Sequence, residues 1–163
     1  MAMAYDFAIR RAEPGDRDAL TDLCMRSKGS NGYDEAFMAQ CAEELRVRDS
    51  WIADDHFWLA ETVGGKPVGC IRLSIAGDGE TGEVGTCFVD PDWKGKQVGR
   101  LLFGPLFDEA RGRGLKRIGL DSDPFAEAFY VRMGFTTIGR SPSGSIADRT
   151  LPRMELLLDS DQV

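Results

Sequence analysis

The sequence predicts an α+β fold on a mixed sheet. Apolar strand-like runs are joined as hairpins in the middle of the chain, while helix-period segments cross over between the later strands. The 163 residues amount to one domain, 1–163, with enough chain to bury a core. No internal repeat, low-complexity segment or linker interrupts it.

Phe7 to Arg10 reads as a short strand. Pro14-Gly15 then opens a helix with Ala19, Leu20, Leu23 and Cys24 on one face. "RSKGSNGY", Arg26 to Tyr33, reads as a polar loop. Asp34 caps a second helix, which puts Phe37, Met38, Cys41 and Leu45 on one side. "HFWLAET" leads through Gly64-Gly65-Lys66-Pro67, a hairpin signal, into "VGCIRLSI". "AGDGETG" is a second turn before the strand "EVGTCFV", which Asp90-Pro91-Asp92 stops. Val98, Leu101, Leu102, Leu106 and Ala110 then follow helical spacing. Pro105 predicts a kink after Gly104, and Gly112 and Gly114 predict the helix end. "KRIGL" is a short strand. Asp123 caps the next helix, with Pro124 at its first position and Gly134 at its close. "FTTIG" and "RMELLL" are closing strands separated by a Ser-Pro-Ser-Gly loop.

Composition narrows the function. The net charge of −7 argues against a broad footprint on nucleic-acid phosphates. It favours a cationic small partner, although an acidic surface equally serves solubility. No apolar run approaches the ~20 residues of a membrane span, and the start "MAMAYDFAIRRAE" lacks the order of a secretion signal. Cys24, Cys41, Cys70 and Cys87 lie far apart among apolar neighbours, as buried free thiols of a cytoplasmic protein do. A single histidine, His56, excludes a His-rich metal site and reads as a strand-edge residue.

"DWKGKQVGRLL", Asp92 to Leu102, carries the chemistry. A helix begins with four main-chain N–H groups that lack intrahelical partners, and the peptide dipoles add partial positive charge there. An anion at that end satisfies both. Gly95 and Gly99 let a ligand approach the backbone, and Lys94, Lys96 and Arg100 add charge around the rim. The order strand, loop, helix suits a phosphate or pyrophosphate cradle, or simply a basic turn that starts a helix. A Walker loop is excluded because no G-K-[ST] follows. A dinucleotide fingerprint is excluded because G-x-G-x-x-G is absent.

A second stretch, "DSDPFAEAFYVRMGF" from Asp121 to Phe135, places a strand end, a capped short helix, a tyrosine and a closing Gly-Phe in order. Together the two stretches resemble the GNAT superfamily of acetyl-CoA-dependent N-acetyltransferases. Its loop pattern is Gln/Arg-x-x-Gly-x-Gly/Ala. Lys94 stands here at the first position, Gln97 at the first glycine and Gly99 at the last. Gln97 for glycine requires an ordinary φ or some strain, and Phe125 replaces the asparagine often found after Asp-Pro. The resemblance runs from Phe7 to Leu158, with its specific motifs between Thr86 and Phe135.

The resemblance implies a GNAT-like, mostly antiparallel central sheet flanked by about four helices. It implies a strand that splays from its neighbour, with pantetheine pairing at Phe88 and Val89. The loop backbone through Gly95, Lys96, Gln97, Val98, Gly99 and Arg100 would hold the pyrophosphate, with Lys94 and Arg100 supplying side-chain charge. Acetyl-CoA is then the acyl donor, with no metal, and a primary amine of a small molecule or peptide is the acceptor. Tyr130 is implied as the acid for the departing thiolate, and an N–H near Val89 as an oxyanion donor. Glu83 opens the central strand and alternates with Gly85 and Cys87 onto one face, where a carboxylate can take a proton. Cys87 reads as a packed thiol rather than a nucleophile, and Glu44 as a solvated carboxylate or a pocket wall. Asn31 and Tyr33 lie where family members cover the acceptor. Family members also often dimerise through exposed strand edges. A non-catalytic acyl-CoA-binding sensor is the alternative.

Overall fold

The computed structural model describes residues 6–158. Positions 1–5 and 159–163 of the expected domain, and with them the start of the stretch read for a secretion signal, lie outside the described residues. Among the described residues the strands are β1 (Phe7–Arg11), β2 (His56–Thr62), β3 (Pro67–Ile75), β4 (Thr81–Val89), β5 (Arg117–Asp121), β6 (Thr136–Pro142) and β7 (Thr150–Leu157). The helices are α1 (Arg17–Gly29), α2 (Glu35–Leu45), α3 (Asp49–Asp54), α4 (Val98–Gly112) and α5 (Glu127–Arg132). The strands form one sheet in the order β1-β2-β3-β4-β5-β7-β6. Only β4 and β5 run parallel, joined by the crossover helix α4.

Two cores sandwich the sheet. On one face α4 buries Val98, Leu102, Phe103, Leu106 and Ala110 against Ile71, Leu73, Val84 and Ile118. On the other, Leu20, Leu23 and Cys24 of α1 and Cys41 and Leu45 of α2 cover Phe57, Leu59 and Cys70. Each fully buried Leu or Phe contributes about 1.5–3 kcal/mol.

Local signals placed most elements. The Asp34 side chain accepts from Phe37 N–H at 2.8 Å, and Asp123 accepts from Phe125 N–H at 3.0 Å, so both expected caps form. Three expectations are corrected. The polar stretch from Arg26 is helical as far as Gly29, because Ser27 completes the buried stripe Leu20, Leu23, Cys24 at helical spacing. A short helix, α3, precedes β2, so the helices number five rather than about four. The helix α4 runs through Pro105 as a single element from Val98 to Gly112, held to the sheet by buried residues on both sides of the proline.

The third correction matters most for the site. Along β4, Val84 pairs with Leu73 and Thr86 with Arg72, so Gly85 is an extra, bulged residue. The bulge reverses the alternation. Val84 and Cys87 therefore share the α4 face, while Glu83, Thr86 and Phe88 share the α1–α2 face. Glu83 and Cys87 do not lie on one face.

Candidate active site

The β4–β5 ladder holds only from Thr81↔Arg117 to Glu83↔Gly119. Beyond that pair the strands part. The Asp90 N–H bonds back to Val68 O on β3 at 2.8 Å, so the alternate residue, Val89, turns its main-chain groups toward the gap. Phe88, paired with Cys70, turns its main chain to β3 and gives the gap its side chain instead. The gap opens into a cleft of ≈ 860 Å³ that reaches from the N-terminus of α4 to α2.

The chain enters α4 through a 3₁₀ turn, Pro91–Trp93. Asp90 is buried; its carboxylate accepts from Asp92 N–H at 2.9 Å and from Arg26 at 3.0 Å. Burial alone would raise its pKa, but these donors outweigh it and hold the carboxyl below its ordinary value. Gly95 follows at φ +78° and Gln97 at φ 67°, so Gln97 adopts the left-handed conformation that favours glycine. The first intrahelical bond is Leu101 N–H to Gln97 O, at 3.0 Å. The N–H groups of Val98, Gly99 and Arg100 precede it and point out of the helix start at the cleft. A Cβ on Gly99 would lie 3.0 Å from the Phe129 ring and 3.6 Å from Val89 Cγ2, so glycine there serves close packing.

Of the residues expected at the site, Glu83, Phe88, Val89, Lys94, Gly95, Gln97, Val98, Gly99, Arg100, Tyr130 and Asn31 line the cleft. So does Glu44. Lys96 does not; its ammonium lies 4.9 Å from the centre of the Trp93 ring. Lys94 donates to Ser30 Oγ at 3.1 Å, joining the loop to the end of α1. Arg100 donates to Gln97 Oε1 at 3.1 Å.

Tyr130 projects from α5 into an aromatic box. Phe129, Phe135 and Phe103 meet its ring edge-on at 5.3, 5.9 and 6.3 Å. The Cys87 thiol is the nearest ionisable neighbour acting on the Tyr130 hydroxyl. Burial, reinforced by Cys87, raises the phenol's pKa well above its ordinary value, and burial pushes the Cys87 thiol up to about 12. Both are protonated at neutral pH, so Cys87 is no thiolate nucleophile there.

Tyr33 stays off the cleft wall. Its ring stacks on Phe37 at 4.1 Å, and its hydroxyl donates to Asp123 at 2.9 Å and accepts from Arg149 at 2.8 Å. Asp123 also pairs with Lys28 at 3.4 Å. This latch joins α1, α2, the β6–β7 loop and the cap that precedes α5. Burial, then the bond to Asp123, pushes Tyr33 up to about 12. Glu83 accepts both forks of the Arg153 guanidinium, at 2.7 and 2.8 Å. Sequence reasoning missed Arg149, Lys28 and Arg153 altogether and read Asp123 only as a cap. No local signal marks such partners, which come from distant strands and loops. His56 lies outside the cleft, stacked on Trp58 at 6.2 Å, with its pKa lowered chiefly by burial.

Among the described residues no group of three or more His, Cys, Asp or Glu is arranged to hold a metal ion, and no helix is long and apolar enough to cross a membrane.

A splayed parallel strand pair thus feeds a glycine-bearing helix start, with the Tyr130 phenol on the wall of the cleft between them. The model of the acetyltransferase (GNAT) family matches residues 20–135, and the chain belongs to that family. It is similar to an uncharacterized N-acetyltransferase of Methanocaldococcus jannaschii, 29% identical over 141 residues that cover 79% of this chain and 60% of that one. It also resembles a chloroplastic serotonin N-acetyltransferase of Oryza sativa, 31% identical over 134 residues, 81% of this chain and 62% of the other. The chain thus spans about three fifths of the length of both relatives. Among solved structures, the PaiA N-acetyltransferase of Thermoplasma acidophilum in complex with coenzyme A shares the fold, with a TM-score of 0.77 at 18% identity over 93% of this chain and 99% of that one.

Proposed function

We propose that this protein is an N-acetyltransferase that moves an acetyl group from acetyl-CoA to a primary amine of a small molecule or peptide. One observation carries the reading: the gap beyond Glu83↔Gly119 runs from main-chain groups of Val89 directly to the unpaired N–H groups at the start of α4. A pantetheine arm fits the first and a pyrophosphate the second.

In this mechanism the amine nitrogen attacks the thioester carbonyl carbon, and a C–N bond forms. The carbonyl electrons move to oxygen, and the Val89 N–H stabilises the oxyanion. Collapse breaks the C–S bond. The Tyr130 hydroxyl gives its proton to the leaving sulfur; burial keeps the phenol protonated beforehand, although the same burial makes it a weaker acid. The proton lost from nitrogen goes to Glu83, directly or through water. Arg153 occupies one lone pair on each Glu83 oxygen, which leaves the others to accept. Asn31 at the cleft wall, and Tyr33 behind it, shape the acceptor end. Lys94 and Arg100 flank the cofactor's phosphates, and Lys96 adds positive charge near them. The proposed setting is the cytoplasm, in which the four free cysteines stay reduced. The exposed edge strand β6 offers a homodimer contact.

Calorimetric titration with acetyl-CoA, followed by a thiol-release assay over an amine panel, tests the reading. Binding with turnover of at least one amine is expected. Absence of binding overturns the cofactor site. Tight binding without turnover of any amine assigns the chain to the sensor class instead.

A further inference from the structure

We infer that Arg153 is a positioning residue for the acceptor end of the cleft and acts through Glu83; the inference rests on the acetyl-transfer reading above. Arg153 belongs to neither arm of the fork. It lies on β7, opposite Asp121 of β5. Its guanidinium reaches across to β4 and bonds both Glu83 oxygens, at 2.7 and 2.8 Å, while Nη1 also donates to Asp121 Oδ1 at 3.3 Å. One planar cation thus holds Glu83 of the last β4–β5 rung and Asp121, two residues past Gly119 of that rung, where the strands part. Glu83 and Asp121 both line the cleft.

Gly119 fits this arrangement. It is the β5 residue in that last rung, and its φ lies outside the left-handed region, so the backbone does not demand glycine. The guanidinium fills the space above it instead: a Cβ at position 119 would overlap Arg153 Nη2 and lie 3.0 Å from its Cζ and 3.2 Å from Glu83 Oε1. Stability alone does not account for so specific a fit. The Arg153 side chain is 29% exposed and that of Glu83 38%, and ion pairs this open to water add little to folding. A bidentate pair does fix the plane of the carboxylate. Here it sets the direction in which the remaining Glu83 lone pairs face an incoming amine. Misplacement of a reacting group by about 1 Å costs on the order of a hundredfold in rate.

Four variants test this in the full chain: Arg153→Met, Arg153→Lys, Gly119→Ala, and Arg153→Met combined with Glu83→Gln. Gly119→Ala removes no charge and crowds only the ends of two flexible side chains, Arg153 and, at 3.2 Å, the Glu83 carboxylate, so it keeps the fold even if Arg153→Met does not. Arg153→Met and Gly119→Ala are expected to lower kcat about tenfold or more, with the Kd for acetyl-CoA within about twofold of wild type. Arg153→Lys keeps the charge but not the fork and stays impaired. In the Glu83→Gln background, Arg153→Met adds no further loss, because its effect passes through that carboxylate. Unchanged kcat in Gly119→Ala and Arg153→Lys, or losses that multiply in the double variant, overturn the inference while leaving the acetyl-transfer reading intact. A wild-type protein that turns over no amine overturns both.

Discussion

The aromatic box around Tyr130 would accept phenylalanine without repacking, so the hydroxyl can be tested alone. Tyr130→Phe is expected to lower kcat about 10²-fold while leaving the calorimetric affinity for acetyl-CoA unchanged, because the ring, not the oxygen, shapes the wall. Gln97 offers a second test. Its left-handed φ of 67° costs about 1–2 kcal/mol, more than glycine's extra chain entropy of about 0.5–1 kcal/mol. Gln97→Gly is therefore expected to raise the midpoint of thermal unfolding, and Gln97→Val to lower it, as read by calorimetry. The sequence allowed either an ordinary φ or strain at this position, and the structure contains the strain. Other residues were legible because their chemistry is local. Gly95, Gly99 and the neighbouring cations mark a helix start on their own, and Asp34 and Asp123 bond amides within three residues. Arg153 was not legible, since its partner Glu83 is 70 positions away.

At the scale of elements, the latch built on Tyr33 ties α1 and α2 to the β6–β7 loop and to the cap ahead of α5. Its hydroxyl, pushed up to about 12, stays protonated in the folded state where the unfolded chain's tyrosine, at about 10, has begun to ionise. Folding therefore favours the protonated form. The stabilisation is fully present below pH ~10 and fades as pH climbs toward ~12. Tyr33→Phe removes the hydrogen bond to Asp123. The gap in thermal midpoint between wild type and this variant is expected to stay constant from pH 7 to about 10 and then to shrink, as read by thermal scans across alkaline buffers. No sequence pattern announced the latch, because Arg149 meets Tyr33 across 116 positions. Strand alternation, by contrast, misled in a readable way. Gly85, isolated inside a strand, is the ordinary mark of a bulge, and the strict period-two reading passed over it.

Over the whole molecule, hairpins and crossovers sufficed for an α+β class. The sheet order β5-β7-β6 did not follow from them, because insertion of the last strand between its predecessors is decided by long-range packing. The gap proposed for the cofactor lies inside this sheet, so a ligand there would bridge β4, α4 and α5 and bind only the folded chain. Coenzyme A at a hundred times its Kd is expected to stabilise the protein by about 2.7 kcal/mol, which is a rise of about 5–10 °C in thermal midpoint for a chain of this size. Differential scanning fluorimetry over a concentration series checks it, and a midpoint indifferent to coenzyme A counts against the gap as its seat. The bulge at Gly85 also bears on how such a chain can change. Excision of that one residue would leave Val84 opposite Leu73 and Thr86 opposite Arg72 as consecutive rungs, so Glu83 and Cys87 would keep the faces they have now and only the local bend would go. Length is thus free to drift at a position where an added side chain would run into the guanidinium of Arg72.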